Sequence, residues 1–239
     1  MKGHKLMILG RSGSGKSASM RNLDPRKTGV INADLEPFPF QMNGYQMVMD
    51  GDKPDLLKSN YVETVKPSSV VTTLQVWDKR EDLDTIILDT FTHLLTNYYV
   101  NFCLGQPYSG YKELGTAFFS IMEQVNNMKK NVIVFGHINK QFNDMGDLVV
   151  EMKSHGKMIR EFEPESYFNI LIYAEVIKDE KGVKRVFRTQ PKNPSETVKS
   201  PTMFNDDGSI VPLFDEYIDN DLSLVIHKLD EFYNHKLVV

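Results

Sequence analysis

Short, mostly apolar runs recur along the chain at 5–9, 29–33, 85–88 and 131–136. Their apolar residues do not alternate with polar ones, and such runs are typical of parallel strands that helices cover on both faces. Because helical patterns separate the runs, the order of elements favours an α/β fold. We therefore predict a mainly parallel central sheet with helices on both of its faces.

Stretches with an apolar residue at every third or fourth position lie between and after these runs. In one of them Phe118, Met122 and Val125 form a stripe that predicts packing in the core rather than a cofactor site. In another, Ser68 is expected to cap the N-terminus of the helix. The four predicted helices cover 16–23, 68–82, 115–129 and 221–235.

The last third of the chain is predicted to be rich in β-structure. Residues 167–177 and 183–189 carry many β-branched and aromatic side chains, and the sequence KDEKG at 178–182 between them is a turn signal. These features predict an antiparallel hairpin. Residues 37–67 are rich in Pro, Met and Asn with weak periodicity, so we expect them to be mostly loop.

The composition changes this picture little. Of 239 residues, 41% are hydrophobic and 25% are charged, as in an ordinary globular protein. No apolar run approaches the roughly 20 residues of a membrane-spanning helix, and the short apolar stretch at 6–9 does not make a signal peptide. The single cysteine, Cys103, excludes an internal disulfide. We expect a cytoplasmic protein in a reducing setting, without a membrane.

The charge is unevenly distributed, although its net value is only −4. Residues 178–199 contain seven Lys or Arg against three acids, and residues 205–239 contain eight acids against two Lys. A local basic surface can act on DNA despite the net sign. The alternative is that both segments are ordinary solvated faces of a hairpin and a helix.

The strongest motif lies directly after the first apolar run. Residues 10–17 read GRSGSGKS and match the phosphate-binding pattern G-x-x-x-x-G-K-[ST] between a strand and a predicted helix. Glycines let backbone N–H groups wrap around a phosphate, and the helix N-terminus adds positive charge. Lys16 is expected to bridge the β- and γ-phosphates of ATP, and the Ser17 hydroxyl to coordinate Mg²⁺. The predicted nucleotide-binding residues are Gly10, Arg11, Ser12, Gly13, Ser14, Gly15, Lys16, Ser17 and Ala18.

Polar residues at the ends of three other strands are candidates for the remaining chemistry. Asp89 ends the run IILD and is predicted to hold Mg²⁺ together with Ser17. Asp34 and Glu36 follow the second strand, where a carboxylate can either orient the attacking water or cap a turn. His137 ends the strand NVIVFG and is a candidate γ-phosphate sensor, although a lone His is more often structural.

Taken in order, these strand ends resemble the RecA-like ATPase core. VINAD at Asp34 resembles the segment with the catalytic carboxylate, IILDT at Asp89 the Walker B strand, and VFGHINK at His137 the strand with the sensing glutamine. FRTQPKN at 187–193 and ETVKSP at 196–201 resemble the basic segment that reaches the ATP of a neighbouring subunit. The chain is especially similar, from residue 5 to about residue 203, to the small phage-encoded recombinases of the Sak type in the AAA grouping.

The resemblance implies roles for individual residues. It makes Asp34 the first choice and Glu36 the second for orienting water, and it implies a homo-oligomer in which Lys192 or Lys199 acts in trans. Simple exposure on the hairpin is the alternative for both lysines. The resemblance further implies one RecA-like ATPase domain over 1–239, divided into a nucleotide-binding core at 1–140, a loop and β-hairpin region at 141–204, and an acidic C-terminal helical segment at 205–239.

It also implies that single-stranded DNA binds to the segments that follow the Walker B and sensor strands, at 104–115 and 141–163. Aromatic rings there would stack on bases and cations would contact phosphates, although ordinary mobile loops have a similar composition. Because the sensor is His rather than Gln, the coupling between ATP and DNA is expected to differ from that of RecA. The candidate DNA-contacting residues are Tyr108, Tyr111, Lys112, Lys153, His155, Lys157 and Arg160.

The resulting hypothesis is a Mg-ATP-dependent, DNA-stimulated ATPase that acts on single-stranded DNA in phage-type recombination or annealing. A single-strand DNA-binding protein is a further candidate partner, and the host cytoplasm is the expected location. Two alternatives stay open. One is a nucleoside or small-molecule kinase, although no arginine-rich lid is visible, and the other is a low-turnover nucleotide-dependent assembly or packaging factor.

Overall fold

The computed structural model describes residues 3–105, 107–142, 146, 148–153, 163–180, 182–194, 196–205 and 207–234. Within these residues the strands and helices follow one another in an α/β order and end in a β-rich third. The strands are β1 Lys5–Gly10, β2 Thr28–Asn32, β3 Met49–Asp50, β4 Lys53–Pro54, β5 Tyr61–Glu63, β6 Thr85–Asp89, β7 Asn131–Gly136, β8 Ile138–Phe142, β9 Leu148–Met152, β10 Ile170–Asp179, β11 Gly182–Arg188, β12 Thr202–Phe204, β13 Ile210–Pro212 and β14 Tyr217–Asp219. The helices are α1 Pro67–Asp78, α2 Phe91–Tyr98, α3 Pro107–Asn127 and α4 Leu222–Asn234, and a π-helical turn Tyr99–Cys103 continues α2.

Eight of the strands form one twisted sheet in the order β14-β11-β10-β1-β7-β6-β2-β5. The six strands from β10 to β5 are parallel, and β11 and β14 extend the sheet antiparallel at one edge. The pairs β3–β4, β8–β9 and β12–β13 are separate two-stranded ribbons. The predicted α/β fold with a mainly parallel sheet and a β-rich last third is confirmed, as is the antiparallel hairpin, which is β10–β11.

The sheet buries apolar side chains on both faces. Along β1, Met7 and Leu9 belong to the core that α1, α2 and α3 cover, whereas Leu6 and Ile8 belong to the core that α4 covers. On β2, Gly29 leaves room for Trp77 of α1, because a Cβ at this position would come 2.5 Å from the indole ring. The expected Phe and Met stripe on α3 is buried as core.

Helix boundaries differ from the prediction in several places. The predicted helix at 16–23 is wrong, because only a short 3-10 helix Ser17–Met20 forms there. The Ser19 hydroxyl bonds the carbonyl of Lys16 at 2.5 Å, and such local bonds compete with a helix. In addition, Pro25 lacks an N–H and disfavours helical geometry for Asp24. The predicted cap at Ser68 is also wrong, since α1 begins at Pro67 after an extended Lys66.

Three segments that were expected to be loops contain regular structure. Residues 107–115 of the expected DNA-binding loop 104–115 form the start of α3, and the segment at 141–163 begins within the β8–β9 ribbon. Within 37–67, β5 adds a strand to the main sheet. In the part of the chain that the structure describes, no helix combines the length and the apolar character needed to span a membrane.

The topology decides where the polar strand ends meet. In this order β7 lies between β1 and β6, and β2 lies on the other side of β6. Because the four strands are parallel, their carboxyl ends share one edge of the sheet. The phosphate loop after β1 therefore faces Asp34, Asp89 and His137, which follow or end the other three strands.

Candidate nucleotide-binding site

The loop between β1 and the 3-10 helix forms a compact cradle around the Lys16 ammonium group. The Lys16 side chain is buried, and Nζ donates hydrogen bonds to the carbonyl oxygens of Gly10 at 3.0 Å and Arg11 at 3.1 Å. Gly13 and Gly15 have positive φ angles of 75° and 101°, which favour glycine. The loop thus curls back over its own lysine, and two backbone carbonyl oxygens accept hydrogen bonds from the ammonium group.

Ser17 and Asp89 form the pair that was predicted to hold Mg²⁺. Ser17 Oγ donates a hydrogen bond of 2.6 Å to Asp89 Oδ2. Asp89 is 2% exposed, and its Oδ1 atom is buried without a hydrogen-bond partner among the described residues. A hydroxyl beside an incompletely satisfied carboxylate matches the oxygen ligands that Mg²⁺ prefers, so these two residues fit the ion.

Burial shifts the pKa values of Lys16 and Asp89 in the directions that favour the neutral form of each side chain. Desolvation lowers the pKa of Lys16 from 10.5 to about 8, although the carboxylates of Asp89 and Asp34 oppose the shift. Desolvation raises the pKa of Asp89 from 3.8 to about 7, and the hydrogen bond from Ser17 limits the rise. Strong shifts of this kind in a cleft are characteristic of functional sites.

Asp34 lies at the tip of the turn that follows β2. Asn32 shapes this turn, because its Oδ1 atom accepts bonds from the N–H groups of Asp34 at 3.2 Å and Leu35 at 3.1 Å. Asp34 Oδ1 in turn accepts bonds from the N–H and the hydroxyl of Thr90 and lies 2.7 Å from His93 Nδ1. The carboxylate is therefore fixed at the start of α2, beside the predicted magnesium ligand.

Glu36, the second choice for orienting water, lies on the outer rim of the same cleft. Its side chain is exposed, and its backbone carbonyl accepts a hydrogen bond of 3.1 Å from Asn32 Nδ2. Asp34 is more buried and has a defined orientation. The role of either residue in positioning a water molecule stays a prediction.

His137 links the end of β7 to the phosphate loop. Its backbone N–H donates to Thr92 Oγ1 at 2.8 Å, and the Nδ1 atom of its ring lies 3.4 Å from Lys16 Nζ. Burial, the positive charge of Lys16 and the proximity of His93 lower the pKa of His137 to about 4, whereas Asp34 opposes the shift. The ring is therefore neutral near pH 7 and contacts the residue that is expected to touch the γ-phosphate.

The space between these groups is an open cleft of about 580 Å³. Of the predicted nucleotide-binding residues, Ser12, Gly13, Gly15, Lys16, Ser17 and Ala18 line it. Gly10, Arg11 and Ser14 form the rest of the loop without lining this cleft. Ser14 Oγ is buried without a hydrogen-bond partner among the described residues.

Lys192 and Lys199 do not line the cleft. Lys192 Nζ forms a 2.7 Å ion pair with Glu175. Lys199 Nζ donates to the carbonyl oxygens of Glu165 at 2.6 Å and Phe168 at 3.1 Å, at the end of a 3-10 helix. Both lysines thus have partners within the chain, and their action on a neighbouring subunit stays a prediction.

The structure describes the side chains of three residues that were predicted to contact DNA. Tyr111 packs within the structure, and its hydroxyl lies 3.2 Å from that of Tyr99. Lys112 and Lys153 are exposed. The side chain of Tyr108, together with His155, Lys157 and Arg160, lies outside the described residues.

Several residues of the cleft were not predicted from the sequence. Thr90 and His93 follow Asp89 at the start of α2, and a Thr directly after a buried strand could have indicated this helix start. Arg185 of β11 also reaches the cleft, where its Nε donates to the Gly13 carbonyl at 3.3 Å. No local pattern predicts this last contact, because it depends on β11 pairing with β10 beside β1.

This fold and this cleft define a P-loop NTPase. Residues 2–197 match the model of a family described as an AAA domain, AAA_24, and the chain belongs to this family. No curated protein matches the chain. Among solved structures it is similar to the KaiC-like protein PH0186 of Pyrococcus horikoshii OT3, with 13% identity over 88% of this chain and 89% of that chain and a TM-score of 0.48.

Proposed function

We propose that the protein is a Mg-ATP-dependent ATPase that acts on single-stranded DNA in phage-type recombination or annealing, as a homo-oligomer. The observation that carries the ATPase part is the convergence of Lys16, the Ser17–Asp89 pair, Asp34 and His137 in one cleft. The strand ends that place these residues are also the ones that resemble the RecA-like core.

Each residue has a distinct task in this proposal. Lys16 leaves the carbonyls of the loop and neutralises the phosphates, and Ser17 and Asp89 hold Mg²⁺. When bound, Mg²⁺ supplies positive charge against the β- and γ-phosphate oxygens. Asp34 accepts a hydrogen bond from the attacking water and so orients it toward the terminal phosphorus. His137 contacts Lys16 and thereby reports the state of the phosphates to β8.

A second groove supports the DNA part of the proposal. It has a volume of about 380 Å³, borders the phosphate loop, and receives the cations Arg11, Lys140 and Lys192. Phe142, two residues beyond Lys140 on β8, is 74% exposed. Cations along a groove and an exposed ring on the strand that carries one of them are features that track a phosphate backbone and stack a base.

Of the two lysines proposed to act on a neighbouring subunit, Lys192 is the better candidate and Lys199 the weaker one. Lys192 is half exposed, and its partner Glu175 is also paired with Arg188. It can therefore exchange its ion pair for a neighbour's phosphate at low cost, whereas Lys199 would leave two carbonyls unpaired. A single-strand DNA-binding protein is a further proposed partner.

The test is ATP hydrolysis with Mg²⁺, with and without single-stranded DNA, at several salt concentrations. We expect DNA to stimulate hydrolysis and the stimulation to fade with salt, because phosphate contacts release counterions. Lys16→Ala is expected to abolish nucleotide binding. Unchanged ATP affinity and turnover in this variant would contradict the site assignment.

A matched pair of variants tests the DNA surface separately. Phe142→Ala removes an exposed ring beside the groove and is expected to raise the DNA concentration for half-maximal stimulation by about tenfold. Leu57→Ala removes an equally exposed apolar side chain, 72% exposed, on the β4–β5 connection and should have no effect. Phosphoryl transfer to a metabolite without DNA would favour the kinase, and tight ATP binding without stimulated hydrolysis would favour the assembly factor.

A further inference from the structure

Three side chains of the cleft come from different elements and bring together a carboxylate and two imidazoles. Asp34 follows β2, His93 lies in the first turn of α2, and His137 follows β7. One ligand atom from each lies within 4.8 Å of the other two. We propose that these residues form a site for a transition-metal dication of the zinc class, in addition to the Mg²⁺ site of Ser17 and Asp89.

The donor set decides which class of metal fits. Imidazole nitrogens suit zinc, iron, nickel and copper, whereas Mg²⁺ takes oxygen ligands. Nitrogen and oxygen ligands of one zinc ion, each about 2.0–2.2 Å from it, lie about 3–4 Å apart. His93 Nδ1 and Asp34 Oδ1 are already 2.7 Å apart. To close the site, the His137 ring moves toward this pair, and His93 Nδ1 loses its hydrogen bond to Asp34 and moves about 1 Å away from Oδ1, in the tautomer that carries no proton on Nδ1.

Hydrogen bonds around the three residues hold them in this arrangement. The backbone N–H and the hydroxyl of Thr90 donate to Asp34, and the backbone N–H of His137 donates to Thr92 Oγ1. The backbone of Gly10 also hydrogen-bonds the His137 ring. A backbone contact of this kind is typical around metal sites when it is made by the imidazole nitrogen that does not bind the metal, because it fixes the orientation of the ring.

The site is accessible and is distinct from the groups that hold Lys16. All three residues are partly exposed and line the open cleft, so an ion can enter from solvent. The two imidazole planes are tilted by 35° with their centroids 4.9 Å apart, so the rings face a common volume without stacking flat. Lys16 retains the carbonyls of Gly10 and Arg11 as partners when His137 turns to the metal.

The experiment titrates the full chain with Co²⁺, without nucleotide or DNA, and follows the visible absorbance of the bound ion. Zn²⁺ is then added to displace Co²⁺ and give the zinc affinity. The variants are His93→Gln, which removes one ligand, and His227→Gln, which removes another imidazole that pairs with a carboxylate, Glu231, at 3.3 Å on α4. Far-UV circular dichroism and thermal melts establish that each variant is folded.

We expect one Co²⁺ per chain with nitrogen and oxygen coordination, a loss of affinity of about 100-fold in His93→Gln, and wild-type affinity in His227→Gln. His137→Gln should repeat the loss and so confirm the site if His93→Gln is poorly folded. Equal affinity in wild type and both cleft variants, or the absence of a bound ion in wild type, would overturn the proposal. Because no ATP is present, failure of the proposed ATPase function leaves this result unaffected.

Discussion

Replacement of Asp89 by Asn is expected to change how the stability of the metal-free protein depends on pH. Burial raises the pKa of Asp89 from 3.8 to about 7, so the folded state binds this proton more tightly than the unfolded chain does. The stabilisation by protonated Asp89 is complete below about pH 4 and is lost as the pH rises through about 7. The amide of the Asp89→Asn variant carries no such proton, and its contribution is constant over this range.

The size of the effect follows from the shift. A rise of about three pKa units, at 1.36 kcal/mol per unit, corresponds to about 4 kcal/mol, of which about 2–3 kcal/mol is lost between about pH 5 and about pH 8. The Asn amide also leaves a buried N–H₂ group near the unpaired Oδ1 position, which costs about 1–3 kcal/mol at every pH. The decisive quantity is therefore the change of the free-energy difference with pH rather than its value at one pH.

The assay is urea unfolding of wild type and Asp89→Asn in EDTA, without nucleotide, at about pH 5 and about pH 8. Asp221→Asn is the matched control. Burial pushes the pKa of Asp221 up, but hydrogen bonds from Ser223 and Asn22 outweigh it and the pKa is lowered. Its stabilisation is lost only as the pH falls below about 4, so its difference from wild type should stay constant between these two pH values. The Asp89→Asn variant should therefore gain about 2–3 kcal/mol of stability relative to wild type between these pH values, and a constant difference, or a variant that loses stability relative to wild type at pH 8, would refute the reasoning.

Three further variants probe the loop and its surroundings. Gly15→Ala places a Cβ 2.7 Å from Arg185 Cδ at a φ of 101° and should destabilise the protein by about 1–3 kcal/mol in thermal unfolding. The control Gly51→Ala, at a φ of 60° in open space, should cost about 1 kcal/mol. Equal losses in the two variants would contradict the clash at Gly15. Arg185→Gln should weaken ATP binding by about fivefold at low salt and less at high salt in calorimetry, and a salt-independent loss would argue against a charge effect. Arg188→Met leaves the buried Glu196 carboxylate without its arginine and should cost about 3–5 kcal/mol in urea unfolding. The double variant Arg188→Met with Glu196→Gln should recover most of this loss, because no unpaired charge is then buried. A loss that is not recovered would be assigned to packing.

The sequence predicted well the parts of the molecule that depend on local pattern. The central strands β1, β6 and β7 are buried on both faces, so their apolar runs stand out without an alignment. The phosphate loop was predictable for a similar reason, since its glycines and Lys16 are close in sequence and act together. Both features are visible in sequence patterns that span only a few residues.

The rest of the cleft depends on contacts between distant segments. His93 meets Asp34 only because β2 and β6 are neighbours in the sheet, and no sequence pattern states that order. Arg185 reaches the loop because β11 pairs with β10 beside β1. Likewise, the partners of Lys192 and Lys199 lie within the chain, a fact that their basic surroundings in the sequence do not reveal.

The charges of the cleft give one physical reason for regarding it as a binding site. The pKa of Lys16 is lowered, that of Asp89 is raised and that of His137 is lowered, and burial is the largest cause in each case. The fold therefore holds three ionisable groups where their charged forms are disfavoured, at a cost to stability that the core must offset. A dication between Ser17 and Asp89, with phosphate oxygens at Lys16, would replace the water that Lys16 and Asp89 have lost and restore the charged forms of these two groups. A purely structural cleft would gain nothing from this arrangement, since apolar residues of similar size would fill it at lower cost.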